Sequence, residues 1–228
     1  MDGLLLIDKP AGWTSFDVVN FVRKHVAPLV GKKPKNTKVG HTGTLDPAAT
    51  GLLVLVIGSY CKRAQEYSKL DKTYLFTAEL GKTSTTGDAE GELTNVSTDQ
   101  PTAAVVAAAC QRFVGQIEQI PPAFSAIKVN GQRAYDLARQ GKAVRLEPRQ
   151  VTINSLEVNE YAYPLLRCQV DVSSGTYIRT LVEDIGKVLG CGAYTTELRR
   201  TRVGKFSIDQ AVTPEQAIQQ LAERIITD

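Results

Sequence analysis

The fold is decided by residues 38–57, which read Lys38-Val-Gly-His-Thr-Gly-Thr-Leu-Asp-Pro-Ala-Ala-Thr-Gly51 and then Leu52-Leu-Val-Leu-Val-Ile57. The last six residues are all apolar and rich in β-branched types, a pattern that predicts a fully buried strand rather than a helix. Gly40 and Gly43 are predicted to let the backbone bend sharply, and the proline that follows Asp46 restricts the chain there. The carboxylate of Asp46 is therefore predicted to lie on a rigid edge of the core.

Two interpretations of Asp46 are open at this point. Asp-Pro is a common turn or helix-start dipeptide, and Asp is a favoured capping residue, so the carboxylate can be purely structural. The loop around it, however, contains His41, one of two histidines in the chain, together with several glycines and threonines. Such a concentration of unusual residues next to a rigid strand is typical of a functional loop.

The composition is that of a globular protein. The chain has 228 residues, of which 43% are hydrophobic and 22% charged, enough for one large domain or a domain with an elaborated insertion. No apolar stretch is long enough to span a bilayer, and the short run Leu4–Ile7 does not form a signal peptide. These features predict a cytoplasmic protein that does not bind membranes.

The cysteines do not suggest a metal site or disulfides. Their spacings of 49, 58 and 23 positions do not match those of zinc-binding motifs, and the two histidines do not complete one. We therefore predict reduced cysteines, mostly in the core, and no bound metal.

The net charge of +3 conceals an uneven distribution. Three segments carry net charges of +6 (residues 20–45), +4 (residues 119–149) and +3 (residues 194–206), whereas the rest of the chain sums to −10. Segregated positive charge favours a surface that binds a polyanion, because each cation that neutralises a phosphate releases a counterion. Solvated surface loops are the alternative. Nucleic acid is the predicted partner.

Apolar periodicity and turn residues predict the other elements. The predicted strands are 3–7, 72–80, 151–158 and 165–172. The predicted helices are one capped by Thr14-Ser15 with Phe16, Val19, Val22 and Val26 on its apolar face, one at 103–114, a short piece near 134–139, and one that starts near Ile178.

The helix after Ile178 has an arginine in its first turn. An apolar stripe runs from Ile178 to Leu189, and Arg179 and Tyr177 flank it on opposite sides. A cation at this end opposes the helix dipole. Arg179 is therefore either an exposed residue or the partner of a buried carboxylate that it keeps ionised, and Asp46 is the predicted partner.

Seven blocks of the sequence, in order, resemble the bacterial tRNA pseudouridine synthase B (TruB) family over essentially the whole chain. They are Leu6-Ile-Asp-Lys-Pro-Ala-Gly-Trp-Thr-Ser15, Gly40 to Gly51, Lys72-Thr-Tyr74, Gly81 to Gly91, Pro121-Pro-Ala-Phe-Ser-Ala-Ile-Lys128, Gly175-Thr-Tyr-Ile-Arg-Thr180 and Leu198-Arg-Arg200. The resemblance implies an α+β fold with a central, mostly antiparallel sheet flanked by helices. It also implies a basic insertion at about 119–149 that closes over the RNA.

The resemblance implies an enzyme that isomerises uridine-55 in the T loop of tRNA to pseudouridine. It implies catalytic roles for Asp46, Tyr74 and Arg179. Asp46 would attack the ribose C1′ or the base C6, or promote loss of a ribose proton, and these routes remain open. It also implies a partner, the T-arm stem-loop of tRNA, no cofactor, and action as a monomer. The residues that it assigns to substrate binding are Lys9, His41, Lys128, Tyr177 and Leu198.

The chain departs from the family pattern at three places. Phe124 stands where a tyrosine is common, Trp13 is bulkier than in many members, and the sequence stops at Asp228, where longer relatives continue into a small RNA-binding domain. We therefore expect a single catalytic domain over 1–228 and weaker tRNA affinity. Two alternative functions stay open: an RNA-binding or tRNA-folding protein whose isomerase activity is dispensable, and an enzyme acting on small nucleosides.

Overall fold

A computed structural model describes residues 1–123, 125, 128–129, 132–133, 137, 140 and 146–227. The helices are α1 (Ser15–Leu29), α2 (Ala64–Ser68), α3 (Ala103–Gln111), α4 (Ile178–Leu189), α5 (Pro214–Gln219) and α6 (Leu221–Arg224). The strands are β1 (Gly3–Lys9), β2 (Val39–His41), β3 (Thr50–Ile57), β4 (Lys72–Leu80), β5 (Lys82–Ser84), β6 (Leu93–Asn95), β7 (Gly115–Gln119), β8 (Lys128–Val129), β9 (Gln132–Arg133), β10 (Arg149–Ala162), β11 (Leu165–Val172), β12 (Ala193–Val203) and β13 (Phe206–Ser207).

The chain divides into two compact units. The first consists of Met1–Tyr74 and Leu198–Asp228, and the second of Leu75–Glu197. Strands β4 and β12 contribute residues to both units. The expectation of a single catalytic domain stays a prediction.

Strand β3 is the centre of the first unit. It pairs antiparallel with β1, from Gly3 opposite Ile57 to Lys9 opposite Gly51, and it pairs parallel with β12. Leu53, Leu55 and Ile57 enter one apolar cluster, and Leu52, Val54 and Val56 enter another. Because both faces of β3 are covered, its sequence shows a continuous apolar run rather than an alternating one. The strand predicted at 52–57 is confirmed.

Helix α1 packs on the first of these clusters. Thr14 is its N-cap, as predicted, and it forms a capping box with Asp17, which was not predicted. The apolar face differs by one position, because Val18 is fully buried and Phe16 is 58% exposed. The assignment of Phe16 to the core was therefore wrong. Phe16 lies in the first turn of α1, and the Arg23 guanidinium lies 5.7 Å from the centre of its ring.

The second unit contains an antiparallel arrangement in which β10 pairs with β11 on one side and with β7 on the other. The strands predicted at 151–158 and 165–172 are confirmed, and β10 is longer than predicted at both ends. Helix α3 ends at Gln111 rather than Val114, because the chain turns after Arg112 to enter β7.

The architecture agrees with the predicted α+β class and its mostly antiparallel sheet with flanking helices. The four cysteines are free thiols, and three of them are buried, as predicted. In the part of the chain that the structure describes, no helix is long and apolar enough to cross a membrane. The short helix predicted near 134–139 and most of the basic insertion at 119–149 lie outside the described residues.

Candidate active site

The chain is fixed on both sides of Asp46. On one side, the buried Ser15 hydroxyl donates to the Leu45 carbonyl (3.0 Å) and accepts from the Leu45 amide (2.8 Å). On the other side, the Pro47 carbonyl accepts hydrogen bonds from the Gly12 amide (2.9 Å) and from the Lys9 ammonium (3.2 Å). Asp46 itself is half-buried. The loop therefore presents one carboxylate from a backbone position with little freedom to move, which is the arrangement that catalysis by positioning requires.

Lys9 is fully buried, and its ammonium points at the backbone. The Nζ atom donates to the carbonyls of Pro10 (2.8 Å), Trp13 (2.7 Å) and Pro47 (3.2 Å). Burial lowers the pKa of Lys9 to about 8, while the negative charge of Asp46 raises it and the Arg200 guanidinium lowers it. The resemblance assigned Lys9 to substrate binding, but its three N–H donors are used within the chain. A positioning role toward the Asp46 loop is the role that these contacts support.

The Lys9 pKa predicts a pH dependence of stability. The folded chain releases this proton near pH 8 and the unfolded chain near 10.5, so between these values the unfolded chain binds more protons. The free energy of unfolding should therefore rise with pH over this window, by up to about 1.4 kcal/mol per pH unit from Lys9. Urea denaturation between about pH 8 and pH 10 should show a shallower slope for Lys9→Met than for wild type. The exposed control Lys69→Met should keep the wild-type slope, and an unchanged slope in Lys9→Met would contradict the assignment.

Two further buried cations, Arg200 and Lys72, lie close to Gly43 in the same loop. Arg200 is 2% exposed and donates from Nε to the Leu52 carbonyl (2.8 Å) and from Nη2 to the Gly43 carbonyl (3.1 Å). Lys72 donates to the carbonyls of Ser68 and Leu70, and burial lowers its pKa to about 8. No sequence pattern indicated these two roles, although both residues fall within the quoted blocks.

The basic segment at 194–206 is thus partly used inside the protein. Besides Arg200, Arg199 forms a two-pronged ion pair with Asp8 at 2.7 and 3.0 Å, and Arg202 donates to the Thr73 hydroxyl. The interpretation of this segment as a polyanion-binding surface was wrong for Arg200, which is buried, and stays a prediction for the other cations. Charge counting failed there because it does not show which cations the backbone carbonyls and carboxylates of the protein already engage.

The other predicted residues of the first unit have distinct environments. His41 is half-buried at the end of β2, where its backbone pairs with Leu55. Tyr74 is 7% exposed in β4, and Leu198 is half-buried in β12. Gly40 lies inside β2, and neither Gly40 nor Gly43 has a positive φ. Gly40 therefore does not make the predicted bend, whereas Gly43 does lie at a bend of the chain. The glycine with a positive φ in the quoted run is Gly51.

The second unit contains Arg179 in the first turn of α4. The Nη1 atom lies 3.2 Å from the Asp88 carboxylate and donates to the Thr86 carbonyl at 2.8 Å. The side chains of Arg179 and Asp88 are 6% and 15% exposed, which rules out the exposed first-turn alternative. The Asp88 carboxylate is itself held by the Glu90 amide. Asp88 was missed, although it lies in the quoted block from Gly81 to Gly91, and the pairing of Arg179 with Asp46 stays a prediction.

The ion pair between Arg179 and Asp88 should have a measurable effect on stability. In Asp88→Asn the buried guanidinium loses a counter-charge, so the free energy of unfolding should fall by about 2–3 kcal/mol in urea denaturation. Asp184→Asn removes a carboxylate that pairs with Lys187 on the exposed side of the same helix, and should change it by less than about 0.5 kcal/mol. Equal effects of the two substitutions would show that burial of the first pair does not matter.

The backbone of Tyr177, the N-cap of α4, is held by Gln119. The Gln119 side chain accepts from the Tyr177 amide (2.8 Å) and donates to the Tyr177 carbonyl (3.0 Å). The Arg149 guanidinium lies 4.9 Å from the centre of the Tyr177 ring and donates to the Gly175 carbonyl. Gln119 and Arg149 are opposite each other across β7 and β10, so one strand pair supports the predicted pocket residue. No sequence motif indicated this role for Gln119.

Two predictions concern residues whose side chains the structure does not describe. Lys128 lies in the two-residue strand β8, and its predicted substrate contact falls outside the described side chains. Phe124 lies outside the described residues.

Two family models match adjoining parts of the chain. Residues 31–178 match the model of the TruB family pseudouridylate synthase N-terminal domain, and residues 179–225 match that of the tRNA pseudouridylate synthase B C-terminal domain. A tRNA pseudouridine synthase B from Phocaeicola vulgatus is 44% identical over 99% of this chain and 97% of its own length. One from Pseudomonas fluorescens is 48% identical over 95% of this chain and 68% of its own.

Solved structures show the same fold. A chain in a Cbf5-Nop10-Gar1 complex superposes with a TM-score of 0.74 at 27% identity over 96% of this chain. A chain in an H/ACA RNP bound to a substrate RNA containing 2′-deoxyuridine gives 0.70 at 26% identity over 96%. The present chain spans about half the length of these two chains, 54% and 53% respectively.

Proposed function

The chain belongs to the TruB family of pseudouridylate synthases, and on that premise we propose that it isomerises uridine-55 in the T loop of tRNA to pseudouridine. The C1′–N1 bond of the uridine breaks, the uracil turns while still bound, and a bond forms between C1′ and C5. The C5 proton is lost and N1 gains one, so that the product is an isomer of the substrate. No electrons are transferred, and the proposed reaction needs no cofactor.

The observation that carries the proposal is the double clamp on Asp46. The hydrogen bonds of Ser15 to Leu45 and of Lys9 to Pro47 hold the residues on either side of the carboxylate. A carboxylate that attacks a carbon or removes a proton must be held near the reacting atom, because a displacement of about 1 Å can cost about 100-fold in rate. The clamp supplies that restraint.

Asp46 is the proposed catalytic carboxylate. Attack on C1′, attack on C6 and assistance in loss of a ribose proton all require it in its ionised form. The buried Lys9 ammonium supplies positive charge near it, as the effect of Asp46 on the Lys9 pKa indicates. Tyr74 and Arg179 are the other proposed catalytic residues, the first by stacking on the target base and the second by supporting the charge of the carboxylate.

The substrate side of the proposal is the T arm of tRNA. The target uridine must leave the base stack, at a cost of a few kcal/mol. His41, Tyr177 and Leu198 are the proposed contacts of the flipped nucleotide, and base stacking on an aromatic ring offsets about 1–3 kcal/mol of that cost. We propose that the chain acts as a cytoplasmic monomer.

The direct test is to map pseudouridine in an unmodified tRNA transcript incubated with the purified full chain. We expect a single new pseudouridine at T-loop position 55, and tritium release in equal amount from tRNA labelled at C5 of uridine. Free uridine should not react. Pseudouridine at another position, or turnover of free uridine in the absence of tRNA modification, would contradict the proposal.

A further inference from the structure

A concave surface lies in the unit formed by Met1–Tyr74 and Leu198–Asp228. Its volume is about 590 Å³, and we call it the basic basin. Its walls include the side chains of Lys32, Lys38 and Lys62 and the apolar side chains of Val26, Leu29 and Val30. The basin therefore combines an apolar lining with three lysines.

The basin is remote from Asp46 along the sheet. It is lined by Ile57, the last residue of β3, which pairs with Gly3 at the start of β1. The Asp46 loop adjoins the other end of the same strand pair, where Lys9 is opposite Gly51. Since β3 has eight residues, the two ends are about 23 Å apart at the usual rise of a strand. The basin is thus a separate site from the Asp46 loop.

The positive charge of the basin exceeds its negative charge, because three lysines and one carboxylate, Asp2, line it. Its three lysines are exposed, and among the residues that the structure describes none of them forms an ion pair. The carboxylate in the wall, Asp2, accepts a hydrogen bond from the Ser59 amide, which lowers its pKa. Three more exposed lysines adjoin the basin in the sequence, namely Lys24, Lys33 and Lys35.

Two of the six cations in the most basic segment of the sequence, residues 20–45, line this surface, namely Lys32 and Lys38. The guanidinium of Arg23, in the same segment, donates to Asn20 and to the Val39 carbonyl. Unpaired lysines on a concave surface are point charges suited to phosphate oxygens. None of the described residues that line the basin is aromatic, so these residues offer no ring on which bases could stack. These features favour a backbone contact that positions a nucleic acid without reading its sequence.

We propose that the basic basin binds the phosphate backbone of the tRNA substrate outside the T arm. The inference rests on the proposed function for the identity of the RNA. In this role the basin increases the affinity for the RNA and orients it. Its three lysines neutralise at most three phosphates. The chemical step at Asp46 does not involve it.

The test compares two triple variants of the full chain. Lys32→Ala/Lys38→Ala/Lys62→Ala removes the basin lysines, and Lys69→Ala/Arg112→Ala/Lys187→Ala removes three exposed cations outside the three basic segments. Both variants lower the formal net charge from +3 to zero, so that general electrostatic attraction is matched. Affinity for a tRNA transcript and for an isolated T-arm hairpin is measured over a range of salt concentrations, without any isomerase readout.

The basin variant should bind tRNA about 10-fold or more weakly at low salt, and its plot of log affinity against log salt should be shallower by about 2. Its affinity for the T-arm hairpin, and the tRNA affinity of the control variant, should stay within about twofold of wild type. Equal losses for tRNA and hairpin, equal losses in both variants, or no loss would each overturn the inference. If the wild-type chain makes no pseudouridine but the basin variant still loses tRNA affinity selectively, the proposed function fails and the inference stands.

Discussion

Replacing Asp46 by asparagine should reduce tritium release from tRNA by about 10⁴-fold or more, which is the scale of loss when an essential nucleophile or base is removed. The asparagine amide is nearly the same size as the carboxylate but is neutral, so it can neither attack a carbon nor accept the proton. The clamp by Ser15 and Lys9 acts on the neighbouring residues, so the loop should keep its conformation. Affinity for tRNA should therefore stay within about twofold of wild type.

A matched control is Asp209→Asn, which removes an exposed carboxylate of the same unit. It should leave turnover within about twofold of wild type. Full turnover in Asp46→Asn would eliminate Asp46 as the catalytic carboxylate. A loss of turnover that merely follows a loss of tRNA binding would assign the residue to binding instead.

The same variant separates the enzyme from the alternative of a tRNA-folding protein. If Asp46→Asn restores growth of cells that lack the protein, while removal of the lysines and arginines in 119–149 does not, the isomerase reaction is dispensable in those cells. If Asp46→Asn fails to restore growth although its tRNA affinity is normal, the reaction is the function that the cells need.

Replacing Gly51 by alanine should lower the free energy of unfolding by about 3 kcal/mol or more. Gly51 has a φ of +101°, and a Cβ atom there would lie 2.2 Å from the carbonyl oxygen and 2.8 Å from the amide nitrogen of Arg200. Since Gly51 and Arg200 are partners in the parallel β3–β12 pair, the added methyl group must push the two backbones apart. Urea denaturation and thermal melting should both register the loss, the latter as a fall of about 6–12 °C.

The structural consequence extends to the catalytic loop. Arg200 holds the carbonyls of Leu52 and Gly43 from within β12, so a shift of β12 at this point withdraws support from the loop that contains Asp46. Gly40→Ala provides the control, because a Cβ there would meet only Val56 Cγ2 at 3.5 Å, and its φ is not positive. It should change the free energy of unfolding by less than about 1 kcal/mol. A comparable loss in both variants would show that the close approach to Arg200 is not the cause.

The sequence predicted the elements that local patterns specify. The apolar run at 52–57 identified the central strand, and Thr14-Ser15 marked the start of α1. These predictions succeeded because the burial of consecutive side chains and the capping of a helix are encoded by neighbours in the chain. Phe16 was misjudged because the burial of an apolar residue in the first turn depends on what packs against the helix, and Val18 rather than Phe16 joins the core cluster.

What the sequence by itself determined is the central strand, the family of the chain and the position of its candidate catalytic carboxylate. The tertiary structure decided where the charges go. Arg199 and Arg200 are adjacent in sequence, yet one pairs with Asp8 at the surface and the other is buried against backbone carbonyls. Successive side chains of a strand point to opposite faces of the sheet, so these two arginines lie on opposite faces. The pairing of β3 with β12 decides which backbone carbonyls Arg200 meets. Because this pairing joins residues about 150 positions apart, no local pattern encodes it.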